Sequence, residues 1–222
     1  MSLTRRSPGI YLIDDSLATK NLAPGKAVYG EKLLEQDGVE YRLWNPRRSK
    51  LAAALLKGLK QWPIKEDSRM LYLGAASGTT ASHLSDIAPM GRIYCVEFSP
   101  RAFLKLLYLC EHRDNMYPLL CDARKPESYQ VYLEKCDLIY QDLAQVRQAE
   151  ILMENARYYL KTPGYVAIAI KARSIDVAQK PEEIFSGEIK RMRGYGFKIL
   201  ETLKLEPYEK DHLLVLAEKS EH

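Results

Sequence analysis

Three charged side chains that could move protons stand at element ends in this 222-residue sequence, namely Lys50, Asp142 and Lys171. Asp142 ends the apolar strand "CDLIYQD", Lys171 ends the strand "YVAIAIK", and Lys50 starts the first long helix. If the three converge, the chemistry that suits them is removal of a proton from a weakly acidic hydroxyl. A lysine can do this only if its pKa is lowered by burial or by a neighbouring cation. Lys50 would act on Lys171 in this way, and Asp142 would orient both.

Each of these residues also has a purely structural interpretation. Lys171 fits a solvated lysine at a strand end, and Lys50 fits the outer face of a helix. Asp142 fits the N-cap of the following helix, which is a common position for aspartate. Taken one at a time the structural interpretations are favoured, so the catalytic interpretation depends on a ligand site beside them.

The stretch Leu73–Thr80, "LGAASGTT", predicts such a site. It has no third glycine for G-x-G-x-x-G and no Gly-Lys-Ser/Thr ending, so it matches neither phosphate-binding motif. Gly74 ends a predicted strand and Gly78 would let the backbone pass close to a ligand. Two acids end the next two predicted strands: Glu97, where a ribose diol is usually bound, and Asp122, which could contact an adenine amino group. The alternative is a tight structural turn with two surface acids.

The elements around this loop predict an α/β fold. From Met70 onward apolar strands alternate with amphipathic helices, which indicates an open, mostly parallel, Rossmann-like sheet. The final segments "FKILETLKLEP" and "HLLVLAEK" predict an antiparallel edge hairpin. Residues 9–44 show short alternating runs with glycine and proline between them, including "QDGVE" as a hairpin turn. We therefore predict a small N-terminal β domain over residues 1–48 and a larger α/β domain over residues 49–222.

Helix signals are also explicit in several segments. "RRSKLAAALLKGLKQW" predicts a helix with Ser49 as its cap, and "SPRAFLKLLYLCEHR" predicts one with Ser99 as cap and Pro100 at the first position. The other predicted helices are "TASHLSDIA", "VRQAEILMENARYYLK" and "PEEIFSGEIKRMRGY".

Composition narrows the function classes. A formal charge of +4, from 33 basic and 29 acidic residues, allows a nucleic-acid partner without requiring one. The four cysteines are widely spaced among apolar residues, which favours reduced buried thiols, no metal site and an intracellular compartment. The N-terminal segment lacks the apolar core of a signal peptide, and no apolar run is long enough to span a bilayer.

Glycine, glutamate and aspartate at successive strand ends resemble the S-adenosylmethionine site of a class I methyltransferase. A closer resemblance runs over essentially the whole chain. The segments "YRLWNPRRSKLAAAL", "LYLGAASGTTASHLSDI", "IYCVEFSPRAF", "IYQDLAQ", "AIAIKARSID" and "LEPYEKDHLLVL" are similar to the fibrillarin family in its short archaeal form and occur in the family's order.

This resemblance implies an S-adenosylmethionine-dependent RNA 2′-O-methyltransferase, the catalytic subunit of a box C/D guide ribonucleoprotein acting on rRNA or tRNA. It also implies as partners a Nop-family scaffold protein, a kink-turn-binding ribosomal-protein-like subunit and a guide RNA, with no membrane association. The chain has no glycine/arginine-rich tail like that of the eukaryotic members, so a cytoplasmic rather than nucleolar location is expected.

The resemblance also assigns site residues by position. It places the Lys-Asp-Lys catalytic set on Lys50, Asp142 and Lys171, and a fourth member at Asp211 or His212. Strand alternation allows only one of these two to face inward, and we favour His212. The residues expected at the cofactor are the glycine-loop residues Gly74, Ala75, Ser77 and Gly78 and, from the resemblance, Thr79, Thr80, Glu97, Phe98, Asp122, Ala123, Asp142, Leu143, Ala144 and Gln145.

Two basic clusters suit phosphate contacts, which position a strand without reading its sequence. Arg47 and Arg48 lie beside Lys50, and "KRMR" forms residues 190–193. A solvated charged face is the alternative for each. Tyr158 and Tyr159 fit a partner surface and core packing equally well.

Three rival functions stay open from the sequence. A nicotinamide-dependent oxidoreductase would need a tighter glycine fingerprint and a Tyr-x-x-x-Lys relay, and neither is evident. A non-catalytic RNA-binding subunit would have no use for Lys50, Asp142 and Lys171. A small-molecule methyltransferase would methylate a free metabolite without RNA.

Overall fold

The computed structural model describes residues 2–219 and contains two β-sheets and six α-helices within that range. The strands of the first sheet are β1 Leu3–Ser7, β2 Ile10–Ile13, β3 Ser16–Lys20, β4 Leu33–Gln36 and β5 Val39–Leu43. The strands of the second are β6 Arg69–Leu73, β7 Arg92–Glu97, β8 Met116–Leu120, β9 Cys136–Gln141, β10 Leu160–Lys171, β11 Lys198–Lys204 and β12 His212–Lys219. The helices are α1 Lys50–Leu56, α2 Thr79–Ile87, α3 Pro100–Cys110, α4 Gln148–Tyr159, α5 Ala172–Ile175 and α6 Pro181–Gly194.

The N-terminal sheet has the order β1-β2-β3-β5-β4, and every neighbouring pair is antiparallel. The predicted hairpin turn is present between β4 and β5, where Asp37 and Gly38 both have positive φ angles (54° and 73°), as this two-residue turn requires. The sequence analysis missed β1, whose segment "LTRRS" has no apolar alternation, and β3. It also extended β4 too far, because residues 26–32 form no strand.

The second sheet has the order β11-β12-β10-β9-β6-β7-β8. Its strands are parallel except that β12 runs antiparallel to both β10 and β11, which confirms the predicted Rossmann-like sheet and its edge hairpin. From β6 the chain moves outward through β7 and β8, and it then returns to place β9 on the other side of β6. The strand order therefore reverses between β6 and β9, and this opens a crevice at their carboxyl ends.

Helix starts were predicted more accurately than helix ends. The side chains of Ser49 and Ser99 cap α1 and α3 as expected, and Pro100 occupies the first position of α3. However, α1 ends at Leu56, whereas the apolar pattern continues to Trp62. Gly58 follows with a φ of +102°, which terminates the helix in a conformation that glycine adopts without strain.

Two apolar clusters form the core around the second sheet, one on each face, and a small third cluster around Ile13, Ala18 and Tyr41 lies in the N-terminal sheet. Helices α1 and α2 cover one face, and α4 and α6 cover the other. Ile10, Leu17 and Trp44 of the N-terminal segment belong to the α1/α2 cluster, so the two sheets share a buried interior on that face. The division at residues 48 and 49 into separate domains stays a prediction.

Candidate functional site

The crevice at the switch point forms where Gly74 and Asp142 follow the ends of the adjacent strands β6 and β9. The Asp142 amide donates to the Leu73 carbonyl at 3.0 Å, which holds the two strand ends together. Gly74 has a φ of +83°, and a Cβ atom built on it would lie 2.5 Å from the Asp142 carbonyl oxygen. Only glycine fits this close approach. The contact between the two backbones therefore fixes the position of the Asp142 main chain, from which its carboxylate extends.

One hollow of the crevice, of about 250 Å³, has the residue types of a nucleoside site. Its lining includes Gly74, Ala76, Val96, Glu97, Phe98, Cys121, Asp122, Ala123, Arg124, Asp142, Leu143, Ala144 and Gln145. We call it the nucleoside hollow.

Acids at two successive strand ends face the nucleoside hollow. Glu97 accepts hydrogen bonds from the amides of Ala76 at 2.8 Å and Ser99 at 2.7 Å, so it ties the glycine loop to the end of β7. Each carboxylate oxygen retains a lone pair for a diol. Asp122 pairs with Arg124 at 2.6 Å, and hydrogen bonding from this guanidinium lowers the pKa of Asp122. The Arg124 guanidinium also lies 6.0 Å from the centre of the Phe98 ring, which is largely exposed at the mouth of the hollow.

The adjoining hollow, of about 360 Å³, collects the predicted proton-transfer residues. Its lining residues are Arg48, Lys50, Tyr72, Gly74, Ala75, Ala76, Thr79, Thr80, Asp142, Leu143, Ala144 and Lys171. We call it the acceptor hollow. Lys50 Nζ donates to Asp142 Oδ2 at 2.9 Å, and both side chains are about one-fifth exposed. Asp142 lies in the wall between the two hollows, so one carboxylate borders both.

The position of His212 follows from strand register. His212 on β12 pairs directly with Lys171 on β10, and directly opposed residues project on the same face of a sheet. Ala169 and Leu214, two residues along each strand, belong to the α1/α2 cluster, so Lys171 and His212 are on the α1 side of the sheet. His212 is buried, but it is not part of the lining of the acceptor hollow.

Asp211 is directed elsewhere. Its backbone has a φ of 56°, and its carboxylate accepts from Arg173 Nε at 2.9 Å. The His212 Nδ1 atom lies 2.7 Å from the Lys210 carbonyl oxygen, which can only accept, so the proton sits on Nδ1. That leaves His212 Nε2 as the nitrogen available toward the site.

Two buried groups hold the start of α1 over the acceptor hollow. The Thr80 hydroxyl at the start of α2 donates to Ser49 Oγ at 2.9 Å, and Ser49 Oγ also caps α1. Beneath them Tyr72 and Tyr140 make an edge-to-face contact with ring centres 4.8 Å apart. Burial, with a smaller effect from the Asp142 charge, raises the pKa of Tyr72 well above its ordinary value, so this phenol stays protonated.

Gln148 is a positioning residue that the sequence analysis missed. Its fully buried amide accepts from the Lys171 backbone N–H at 3.0 Å and donates to the Lys171 carbonyl at 3.1 Å. The same amide donates to the Gln145 carbonyl at 2.8 Å, which joins the end of β10 to the loop after β9. No sequence signal marks it, because a glutamine in the first turn of an amphipathic helix is ordinary.

Some assigned residues do not line either hollow. Ser77 borders a third hollow beside the loop, described below. Gly78 has a φ of +88° and is packed so that a Cβ atom would lie 2.4 Å from Leu109, so its observed role is in the turn. Arg47 is exposed, whereas its neighbour Arg48 lines the acceptor hollow.

The second basic cluster and the tyrosine pair lie away from the crevice. Arg191 of the "KRMR" segment pairs with Glu188 and lies 3.7 Å from Glu150, so part of that cluster is neutralised. Tyr159 is buried and stacks on Tyr129, while Tyr158 is partly exposed.

Within residues 2–219 no three histidine, cysteine or acidic side chains lie close enough to hold a metal ion. Over the same residues no helix has the length and apolar character needed to cross a membrane. All four cysteines are free. Burial raises the pKa of Cys110 and of Cys136 to about 12, so both thiols are unreactive at neutral pH.

Comparison with known proteins identifies close relatives over nearly the full length. A family model described as Fibrillarin matches residues 2–221. A "Fibrillarin-like rRNA/tRNA 2′-O-methyltransferase" of Thermococcus gammatolerans is 52% identical over 220 residues, which covers 96% of this chain and 97% of that protein.

Two solved structures are also similar. The Aeropyrum pernix fibrillarin, in complex with natively bound S-adenosyl-L-methionine, is 49% identical with a TM-score of 0.91, and the match covers 98% of each chain. The fibrillarin of a fibrillarin/Nop5p complex is 50% identical with a TM-score of 0.88, covering 96% of this chain and 98% of the other.

Proposed function

The chain belongs to the fibrillarin family, and from that premise we propose that it transfers a methyl group from S-adenosylmethionine to a ribose 2′-hydroxyl of rRNA or tRNA. The observation that carries the proposal is the shared wall at Asp142. It joins a hollow suited to an adenosine to a hollow that holds Lys50 and Lys171. A donor in one and an acceptor in the other would therefore meet at Asp142.

The nucleoside hollow fits the adenosine part of S-adenosylmethionine. Glu97 offers carboxylate oxygens for the ribose diol, and Asp122 offers one for the adenine amino group. Gly74 and Ala76 of the loop and residues 142–144 after β9 line both hollows. When bound, the cofactor supplies an electrophilic methyl group on a positively charged sulfur.

In this proposal the chain provides orientation and a proton acceptor. A ribose hydroxyl is a weak nucleophile and must lose its proton as the new carbon–oxygen bond forms. Lys171 Nζ has no salt-bridge partner among residues 2–219, and in this proposal it is the group that accepts that proton. Lys50 Nζ lies 2.9 Å from Asp142 Oδ2 and orients that carboxylate. His212 pairs with Lys171 on the neighbouring strand, and its Nε2 helps to position the Lys171 side chain.

We further propose that the chain works inside a guide-directed box C/D particle. One solved relative is in a complex with Nop5p, and this supports a Nop-family scaffold protein as a partner here. A kink-turn-binding ribosomal-protein-like subunit and a guide RNA complete the proposed particle. The small net charge of +4 is consistent with an enzyme that depends on partners to hold RNA. The cytoplasmic location stays a prediction, which cell fractionation would test.

The test follows labelled methyl transfer in a particle reconstituted with the scaffold proteins and a guide RNA. One target carries ribose at the guided nucleotide, and a matched target carries 2′-deoxyribose there. Transfer only to the ribose target, abolished by Lys171→Ala and kept by Lys198→Ala, is the expected result. Equal labelling of both targets would place the methyl group on a base and contradict the proposal. Labelling of a free metabolite without RNA would indicate a small-molecule methyltransferase.

A further inference from the structure

A third hollow, of about 790 Å³, opens beside the glycine loop, and we call it the side groove. Residues 23–29 of the N-terminal segment form one wall, and the exposed side of α3 forms the other. Arg48 lines both the side groove and the acceptor hollow, and Ser77 of the glycine loop also borders the groove. The groove and the acceptor hollow therefore meet at Arg48.

The charges of the side groove are of one sign. Lys26, Arg48 and Lys105 line it, all three are exposed, and none has a salt-bridge partner within the described residues. Among residues 2–219 no aspartate or glutamate lines the side groove. Arg113 also borders the groove, but it pairs with the buried Asp86 at 2.6 Å and contributes no free charge. The groove thus presents three uncompensated cations to a ligand.

Two tyrosines line the side groove together with these cations. Tyr29 is fixed in place, because its hydroxyl donates to the Leu43 carbonyl at 3.0 Å, and the Arg48 guanidinium lies 5.8 Å from its ring centre. On the opposite wall Tyr108 is 66% exposed and contacts His112 edge-to-face. Free cations with exposed aromatic faces are the combination that binds single-stranded nucleic acid, by phosphate contact and by base stacking.

We propose that the side groove binds the single-stranded RNA that continues beyond the guided duplex, whose target nucleotide enters the acceptor hollow. This rests on the proposed function and adds the route of the target strand, with Lys26 and Lys105 on its phosphates and Tyr108 against a base. A protein segment is the other conceivable occupant. The uniform positive charge and the shared lining residue Arg48 favour RNA.

The test uses the full chain in the reconstituted particle with three target RNAs. One target ends at the guided duplex, and the other two carry a single-stranded extension on the 5′ side or on the 3′ side. The variant is Lys26→Ala/Lys105→Ala. Its control is Lys65→Ala/Lys198→Ala, which removes the same charge from two exposed positions outside the groove, one in the loop before β6 and one at the start of the edge strand β11.

We expect an extension to raise wild-type kcat/KM and the side-groove variant to lose that gain. On single-stranded RNA each lost phosphate contact reduces the salt slope of log affinity by about 0.7, so the double variant is expected to lose about 1.4. The control variant is expected to keep the wild-type gain from the extension. On the short target, the side-groove variant is expected to have the same kcat/KM as the wild-type enzyme. An unchanged gain in the side-groove variant would overturn the proposal.

Two further outcomes separate the possible failures. If the side-groove variant no longer binds the Nop-family protein, but the extension still raises its kcat/KM, then the groove binds protein and the proposal is wrong. If wild-type particles fail to methylate ribose at all, the proposed function fails. In that case the proposal for the side groove is tested by fluorescence anisotropy with a labelled single-stranded RNA. Equal binding of this RNA by the side-groove variant and the control variant would refute the proposal.

Discussion

Lys50 Nζ lies 2.9 Å from Asp142 Oδ2 and so joins the first residue of α1 to the residue after β9, across 92 positions of sequence. The contact brings together two parts of the fold that arise for separate reasons. Ser49 starts α1, and the end of β9 is fixed by its pairing with β6. The ion pair therefore reports whether α1 sits correctly over the switch point.

Removing either partner of this ion pair should lower kcat. A hydrogen bond to a charged group contributes about 1.5–3 kcal/mol, which corresponds to about a 10- to 100-fold loss for Lys50→Ala. Asp142→Asn should lower kcat by a similar factor. A double-mutant cycle in methyl transfer checks the coupling, and strictly additive losses would show that the two side chains act separately.

The two residues of the Asp211-His212 pair should behave differently. His212→Ala should reduce kcat, since the imidazole sits beside Lys171 on the α1 side of the sheet. Asp211→Asn should leave kcat near wild type, because its carboxylate pairs with Arg173 and asparagine tolerates its positive φ. Single-turnover assays of both variants check this. A larger loss for Asp211→Asn would reverse the assignment.

Gly74→Ala should disrupt the site and not only the backbone. Gly30 provides a matched control, since it has the same φ of +83° but no atom within 4 Å of an added Cβ. Both variants carry the strain of a positive φ, about 1–2 kcal/mol. Only Gly74→Ala also places a methyl group 2.5 Å from the Asp142 carbonyl oxygen. Thermal unfolding and calorimetric binding of S-adenosylmethionine should show a larger loss for Gly74→Ala, and equal effects would contradict this account.

Gln148→Ala should lower both stability and kcat. The substitution leaves part-buried backbone groups of Lys171 without their protein partner, at a cost of up to about 1–3 kcal/mol for an unsatisfied group. Gln179→Ala removes an exposed glutamine that bonds Asp176, and it serves as the control. Denaturant unfolding and kcat are the measurements. A stable Gln148→Ala protein with wild-type kcat would show that this amide does not position Lys171.

His83 should make stability depend on pH between about 5 and 6.5. The ring is fully buried, and burial first, then the charges of Arg42 and Arg113, lower its pKa well below the ordinary value. The unfolded chain binds a proton below about pH 6.5 that the folded chain excludes, so stability is present above that pH and is lost as the pH falls. The slope reaches about 1.4 kcal/mol per pH unit for one proton.

The control for this pH dependence is His83→Gln. Its loss of the contacts to Thr19 and Tyr29 should reduce stability at pH 8, but the slope between pH 6.5 and 5 should flatten. Subtracting the stability–pH profile of the variant from that of the wild type removes the contribution of the other histidines. An unchanged slope would show that His83 is not responsible.

Local sequence signals predicted the strand ends that build the site. The glycine loop, Glu97 and Asp122 each follow an apolar run, and parallel strands place their carboxyl ends at one edge whatever the remaining fold. The caps at Ser49 and Ser99 could also be predicted from the sequence, because the cap hydroxyl accepts a hydrogen bond from an amide only three residues away. Similarity to a family added the residue assignments but not their geometry.

The sequence by itself determined the fold class and the residue types at the site, since alternation, caps and turns depend on neighbours along the chain. The tertiary structure alone decided which of Asp211 and His212 lies beside Lys171, because that depends on the register of two antiparallel strands. It also decided that Gln148 bonds both backbone groups of Lys171, 23 positions away. The side groove likewise exists only after residues 23–29 and α3 meet. Contacts of this kind depend on how separate elements pack, and no local pattern encodes them.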